Sequence, residues 1–143
     1  MQADFHHGLP VRRARSDKGW TLIELMVVIS LIMILASLAM NQYRTSIRHA
    51  EEAALKSNLY RMRDAIDQYF ADKGEYPSSL QTLVSEGYLR AVPLDTITKS
   101  SDSWVTVPAE ADPSRPTTDA GIYDVKSSSE GTALDGTRYS DWD

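Results

Sequence analysis

Residues 19–44 read GWTLIELMVVISLIMILASLAMNQYR, and the predicted architecture of the chain follows from this stretch. The 19 residues at positions 25–43 carry no charge. A helix needs about 20 apolar residues to cross the ~30 Å hydrocarbon layer of a bilayer, so a spanning helix is predicted over residues 20–43. The polar sequence after it predicts a water-exposed domain attached to this helix.

Charge is distributed unevenly along the chain. The formal net charge is −5, but residues 1–19 hold four basic and two acidic side chains, a net of +2, which leaves −7 on residues 20–143. Basic residues beside a spanning helix favour the cytoplasmic side, so the soluble domain is predicted to lie outside the membrane. Its acidic character argues against nucleic-acid binding. The basic residues are Arg12, Arg13, Arg15 and Lys18.

A basic stretch before an apolar run is also typical of a secretory signal peptide or of a plain signal anchor. The small residues at positions 36–39 resemble a signal cleavage site, although the apolar run is longer than the usual ~7–15 residues. Residues 20–43 are long enough for an anchor. Neither interpretation explains Glu24, since a carboxylate deep in a bilayer costs up to ~2.5–3.5 kcal/mol.

Glu24 has two interpretations. It lies at the membrane interface, where the cost is small, or it has a partner. If the chain were cut after Gly19, Trp20 would gain a charged α-amino group. Opposite charges ~4 Å apart attract by ~4 kcal/mol at an effective dielectric near 20, and pairing between staggered copies would set a register for assembly. The spacing alone leaves both interpretations open.

Residues 18–29, KGWTLIELMVVI, resemble the processing and methylation motif of type IV pilins and type II secretion pseudopilins, in which a glycine is followed by an aromatic residue and Thr-Leu-Ile-Glu. The resemblance implies cleavage after Gly19 by a prepilin peptidase, N-methylation of Trp20 and a role for Glu24 in filament assembly. The family usually has phenylalanine at the position of Trp20. Many relatives have proline at the position of Asn41.

The sequence from Trp20 to Lys73 contains no proline or glycine, which predicts one helix of about fifty residues. Its second half, residues 44–73, is amphipathic, and its apolar stripe is predicted to pack under a small sheet rather than form a coiled-coil seam. The adjacent acids Glu51 and Glu52 are predicted to lie on the solvated face. The stripe consists of Ile47, Ala50, Ala54, Leu55, Leu59, Met62, Ile66, Tyr69 and Phe70.

The remaining residues predict a small α+β domain. Residues 78–81 have the pattern of a capping box and open a short helix over 79–86. Residues 104–107 and 121–125 are strand candidates. A proline-containing surface loop separates them, with prolines at Pro108, Pro113 and Pro116.

The predicted organisation is therefore pilin-like. A cleaved basic leader over residues 1–19 precedes the spanning helix over 20–43 and a soluble domain over 44–143. That domain consists of the amphipathic helix, the short helix, and a small antiparallel sheet with a loop-rich end over 88–143.

Two further stretches resemble type II secretion pseudopilins. Residues 75–95 are similar to the segment that follows the long helix, and residues 127–142 are similar to the Ser- and Gly-rich end of the major pseudopilin, the protein G type. In those relatives this end can hold calcium. Asp124, Ser127 and Asp135 offer hard oxygen ligands. Ordinary turn residues explain them equally well, so no metal or other cofactor is assigned.

The sequence does not predict an enzyme. Two of the three histidines, His6 and His7, lie in the leader and His49 lies on the polar side of the long helix, so a catalytic triad or zinc site is not formed from them. There is no cysteine, which excludes the disulfide that commonly closes a loop in major pilins.

The resemblance instead implies a structural subunit of a secretion pseudopilus in the bacterial inner membrane. Its expected partners are further copies of itself, other pseudopilins, the prepilin peptidase and an inner-membrane assembly platform. A type IV pilus subunit for adhesion, motility or DNA uptake is the close alternative. A single-pass, membrane-anchored binding domain is a distant one.

Overall fold

The computed structural model describes residues 18–110 and 120–143, with side chains from residue 21 onwards. The chain divides into two compact units, residues 1–42 and residues 43–143, and the second is called the head below. Its elements in chain order are α1 (Lys18–Lys73), α2 (Leu80–Ser85), β1 (Trp104–Pro108), β2 (Ile122–Ser127) and a 3₁₀ turn (Tyr139–Asp141). The predicted surface loop around Pro113 and Pro116 lies outside the described residues.

Helix α1 is 56 residues long, and its sequence contains no residue that breaks a helix apart from Gly19 in its first turn. It ends at Lys73 because Gly74 adopts a left-handed conformation with φ of 73°. The Gly74 amide still donates to the Phe70 carbonyl oxygen at 2.8 Å, which completes the last turn. The single long helix that the sequence predicts is therefore present.

The core of the head lies between α1 and the sheet. Leu55, Leu59 and Met62 from α1 form one buried cluster with Trp104 of β1 and Val125 of β2. A second cluster, around Ile66 and Leu83, packs α2 against the same helix. The apolar stripe thus packs under a sheet, as predicted, and not in a coiled-coil seam.

The buried part of the stripe is shorter than the sequence predicts. Ile47 and Phe70 are each 42% exposed, and Ala50 is exposed as well. The prediction for Glu52 is wrong, since its side chain is buried at 8% exposure whereas Glu51 is only half-buried. The buried face begins at Glu52 because the C-terminal segment of the head covers it.

Strands β1 and β2 are the two predicted strands, and they pair antiparallel with Trp104 opposite Ser127. The register is irregular between Val107 and Pro108, where proline cannot donate to the ladder. Within residues 18–110 and 120–143 the sheet has these two strands. The long apolar helix and the small antiparallel sheet confirm the pilin-like α+β fold class.

Helix α2 begins one residue later than the predicted capping box over residues 78–81, because Ser79 and not Ser78 is its N-cap. The Ser79 hydroxyl oxygen accepts the Thr82 amide at 3.2 Å, which is half of a capping box. The reciprocal half requires Glu or Gln at the third helical position, where this chain has Thr82. Gly87 follows with φ of 84° and turns the chain back toward α1.

Candidate functional site

The first part of α1 has an uncovered apolar surface. Its large apolar side chains are between 42% and 66% exposed. An exposed patch of this size is not stable in water and requires lipid or neighbouring copies to cover it. The helix is long and apolar enough to cross a membrane by length and composition. These side chains are Leu22, Ile23, Leu25, Met26, Val27, Val28, Ile29, Leu31, Ile32, Met33, Ile34, Leu35, Leu38, Met40 and Tyr43.

Two serines within this apolar surface satisfy their hydroxyl groups inside the helix. Ser30 donates to the Met26 carbonyl oxygen and Ser37 donates to the Met33 carbonyl oxygen, each at 2.7 Å. Both donors lie one turn after their acceptors, so neither hydroxyl needs water or a neighbouring chain. The serines therefore reduce the apolar character of the helix very little.

The predicted site residues lie at the start of α1. The helix begins at Lys18, so Gly19 and Trp20 belong to its first turn. The Trp20 side chain lies outside the described part. Glu24 is exposed and follows Trp20 by four residues. The α-amino group that cleavage would create at Trp20 would lie about one helical turn before Glu24. Cleavage at Gly19, methylation of Trp20 and pairing of Glu24 stay predictions.

The three candidate calcium ligands each have a partner within the chain. Asp124 accepts from Arg63 Nε at 2.7 Å, and Ser127 donates to Asp95 at 2.5 Å. Asp135 accepts from both the amide and the hydroxyl of Thr137, and these bonds lower its pKa. The three side chains thus belong to three separate sets of hydrogen bonds.

Glu52 joins α1 to the C-terminal segment of the head. Its Oε1 accepts from the Leu134 amide and from the Tyr139 hydroxyl, both at 2.9 Å. One turn earlier, Arg48 donates to the Thr132 carbonyl oxygen at 3.2 Å. Burial and the bond to Glu52 raise the pKa of Tyr139. These hydrogen bonds hold residues 132–139 against α1.

Sequence reasoning missed two buried acids. Glu52 lies three residues before Leu55 and seven before Leu59, so helical spacing places it on the apolar face. This spacing could have identified Glu52 as a buried residue. Asp95 is fully buried in the loop before β1 and gives no comparable signal, since an acid after Pro93 is typical of an exposed turn.

Comparison with known families finds one match at the N-terminus. The family model described as the prokaryotic N-terminal methylation motif matches residues 14–40. This range contains Gly19, Trp20 and Glu24 together with most of the uncovered apolar surface.

Comparison with known proteins finds relatives over a longer part of the chain. The type II secretion system core protein G of Klebsiella michiganensis is 31% identical over 99 residues, which cover 58% of this chain and 70% of that protein. The protein of the same name from Escherichia coli is 30% identical over 101 residues, covering 59% and 70%.

A second group of relatives matches a shorter part. The type IV major fimbrial protein FimA of Dichelobacter nodosus is 41% identical over 59 residues, covering 41% of this chain and 38% of that protein. No solved structure gives a significant match. These two core protein G matches cover more of this chain than α1 supplies, so they extend into the part of the head that follows α1.

Proposed function

Because the chain belongs to the type II secretion system core protein G family, we propose that it is the subunit of a pseudopilus that drives protein export. One observation favours a pseudopilus subunit over a pilus subunit. The two core protein G matches described above cover 58–59% of the chain and therefore extend beyond α1, whereas the FimA match covers 41%, about the length of α1. Pilins and pseudopilins share the long helix, so likeness in the residues that follow α1 discriminates between them.

The first proposed step is maturation at the start of α1. A prepilin peptidase cuts after Gly19, and the new amino group of Trp20 is methylated. The methylation-motif match over residues 14–40 supports this assignment. The basic residues of the leader favour a cytoplasmic N-terminus, which places the acidic head in the periplasm.

The second proposed step is assembly through α1. An inner-membrane platform driven by a cytoplasmic ATPase extracts the matured subunit from the bilayer, and the uncovered apolar surface then packs against α1 of other copies and other pseudopilins. This exchange replaces lipid by protein around the same side chains. The Trp20 amine of one subunit pairs with Glu24 of a neighbour, which sets the register between copies.

The mature N-terminus gives a direct test of the first step. Mass spectrometry of the protein purified from membranes is expected to find a chain that begins at N-methylated Trp20. Protein from a strain without prepilin peptidase serves as the control and is expected to retain residues 1–19. A mature chain that begins near Asn41, or one that keeps its leader in the wild-type strain, contradicts the proposal.

Deletion of the gene separates secretion from a pilus function. Loss of exoprotein export, with surface fibres unchanged, is expected, and a plasmid copy restores export. Loss of surface fibres or of DNA uptake, with export intact, would instead assign the chain to a type IV pilus. Both readouts are needed because the two assemblies use similar helices.

A further inference from the structure

A single arginine donates hydrogen bonds to three oxygen atoms from two separate parts of the head. Arg63 projects from the C-terminal part of α1, ten residues before its end at Lys73. Its Nε donates to Asp124 Oδ1 at 2.7 Å. One terminal nitrogen donates to the Val125 carbonyl oxygen at 3.0 Å and to the Trp142 carbonyl oxygen at 2.8 Å. The guanidinium thus joins α1, β2 and the C-terminal segment at one point.

The same contacts satisfy the backbone of Val125 on the edge of β2 that faces away from β1. The Val125 amide donates to Asp124 Oδ1 at 2.7 Å, and the Val125 carbonyl oxygen accepts from Arg63. In an antiparallel strand the amide and carbonyl of one residue point to the same side, so both groups face away from β1. The Arg63–Asp124 pair therefore satisfies the two backbone groups of Val125 that a third strand would otherwise bind.

One carboxylate and two carbonyl oxygens are a ligand set that calcium also prefers. Here a permanent positive charge already binds them, because arginine does not lose its proton in proteins. The remaining candidate ligands are bound elsewhere, Ser127 to Asp95 and Asp135 to Thr137. The candidate ligands in the described part of the head therefore do not fit a calcium site in this conformation.

We propose that the Arg63 guanidinium takes the place of a bound metal ion in this head, and that the head folds and stays folded without calcium. The pair is mostly shielded from water, with side-chain exposures of 22% for Arg63 and 21% for Asp124. Hydrogen bonds between ionised partners are about twice as strong as neutral ones, and partial burial limits their screening by salt. The inference concerns folding, so its test does not depend on export.

The unmodified protein provides the first test. Thermal unfolding of the full-length chain in detergent is followed through the emission of the buried Trp104 and Trp142, with excess chelator, with no addition and with excess Ca²⁺. The unfolding midpoint is expected to be the same in all three conditions. A midpoint that falls with chelator, or rises in a saturable way with Ca²⁺, overturns the proposal.

Substitution of the arginine provides the second test. Arg63→Gln is expected to lower the midpoint by about 10 °C for a domain of this size, and Arg63→Lys by less, since lysine keeps the charge but not the fork of donors. Arg61→Gln is the matched control, because Arg61 is exposed two residues away, and its midpoint is expected to be unchanged. An Arg63→Gln midpoint equal to that of the control contradicts the proposal.

Discussion

Glu24→Ala is expected to reduce the yield of assembled filament at least tenfold while leaving membrane insertion and leader cleavage intact. Removing the carboxylate makes the helix more apolar, so insertion becomes easier and not harder. What is lost is the attraction to the Trp20 amine of a neighbouring copy, up to ~4 kcal/mol at close range. Even ~1.4 kcal/mol of that attraction changes an association constant tenfold.

The measurement compares, by immunoblot, the amount of this subunit in filament separated from the membranes with its amount in total membrane protein. Ser30→Ala is the matched control on the same exposed helix, since the Ser30 hydroxyl is bound within its own helix, and it is expected to assemble normally. Glu24→Gln keeps the size of the side chain without its charge and is expected to assemble as poorly as Glu24→Ala. Normal filament yield from both Glu24 variants would refute the pairing and leave the interfacial interpretation of Glu24.

The helical half of the fold could be predicted because it depends on periodic and local signals. An apolar run without charge, the lack of glycine and proline from Trp20 to Lys73, and a stop at Gly74 together define α1. Even here the pattern misplaced Glu52, because an acid directly after Glu51 is typical of a solvated helix face. Burial of a single acid depends on what covers it, and the covering segment lies 82 residues away at Leu134.

The contacts that hold the C-terminal segment could not be predicted in the same way. Arg63 and Asp124 are 61 residues apart, and Asp95 and Ser127 are 32 apart. Short polar residues in loops have no periodicity, and each is equally consistent with an exposed turn. The sequence indicated the candidate oxygens at Asp124 and Ser127, but only the tertiary structure shows their partners.

Asp95 is the second position at which a large effect is expected. Its carboxylate is fully buried, and Oδ1 accepts from the amides of Ile97 at 2.8 Å and Thr98 at 3.2 Å. Its Oδ2 accepts from the hydroxyl of Ser127 at the end of β2. One side chain therefore shapes the loop before β1 and links that loop to the second strand.

Asp95→Ala is expected to lower the unfolding midpoint of the head by about 15 °C, because two amides and one hydroxyl lose their acceptor, at a net cost of ~3 kcal/mol. Asp95→Asn keeps an acceptor for the amides and is expected to lose about half as much. Asp102→Ala, an exposed acid in the same loop, is the control and should change the midpoint by less than ~2 °C.

The buried carboxylate opposes folding through its desolvation, so a midpoint for Asp95→Ala at or above that of the wild type would show that this cost exceeds the gain from its three hydrogen bonds. The expected order of midpoints, Asp95→Ala below Asp95→Asn below wild type, requires that the three hydrogen bonds stabilise the head more than burial of the carboxylate destabilises it. The Asp95 carboxylate then joins the loop before β1 to the end of β2 at a net gain in stability.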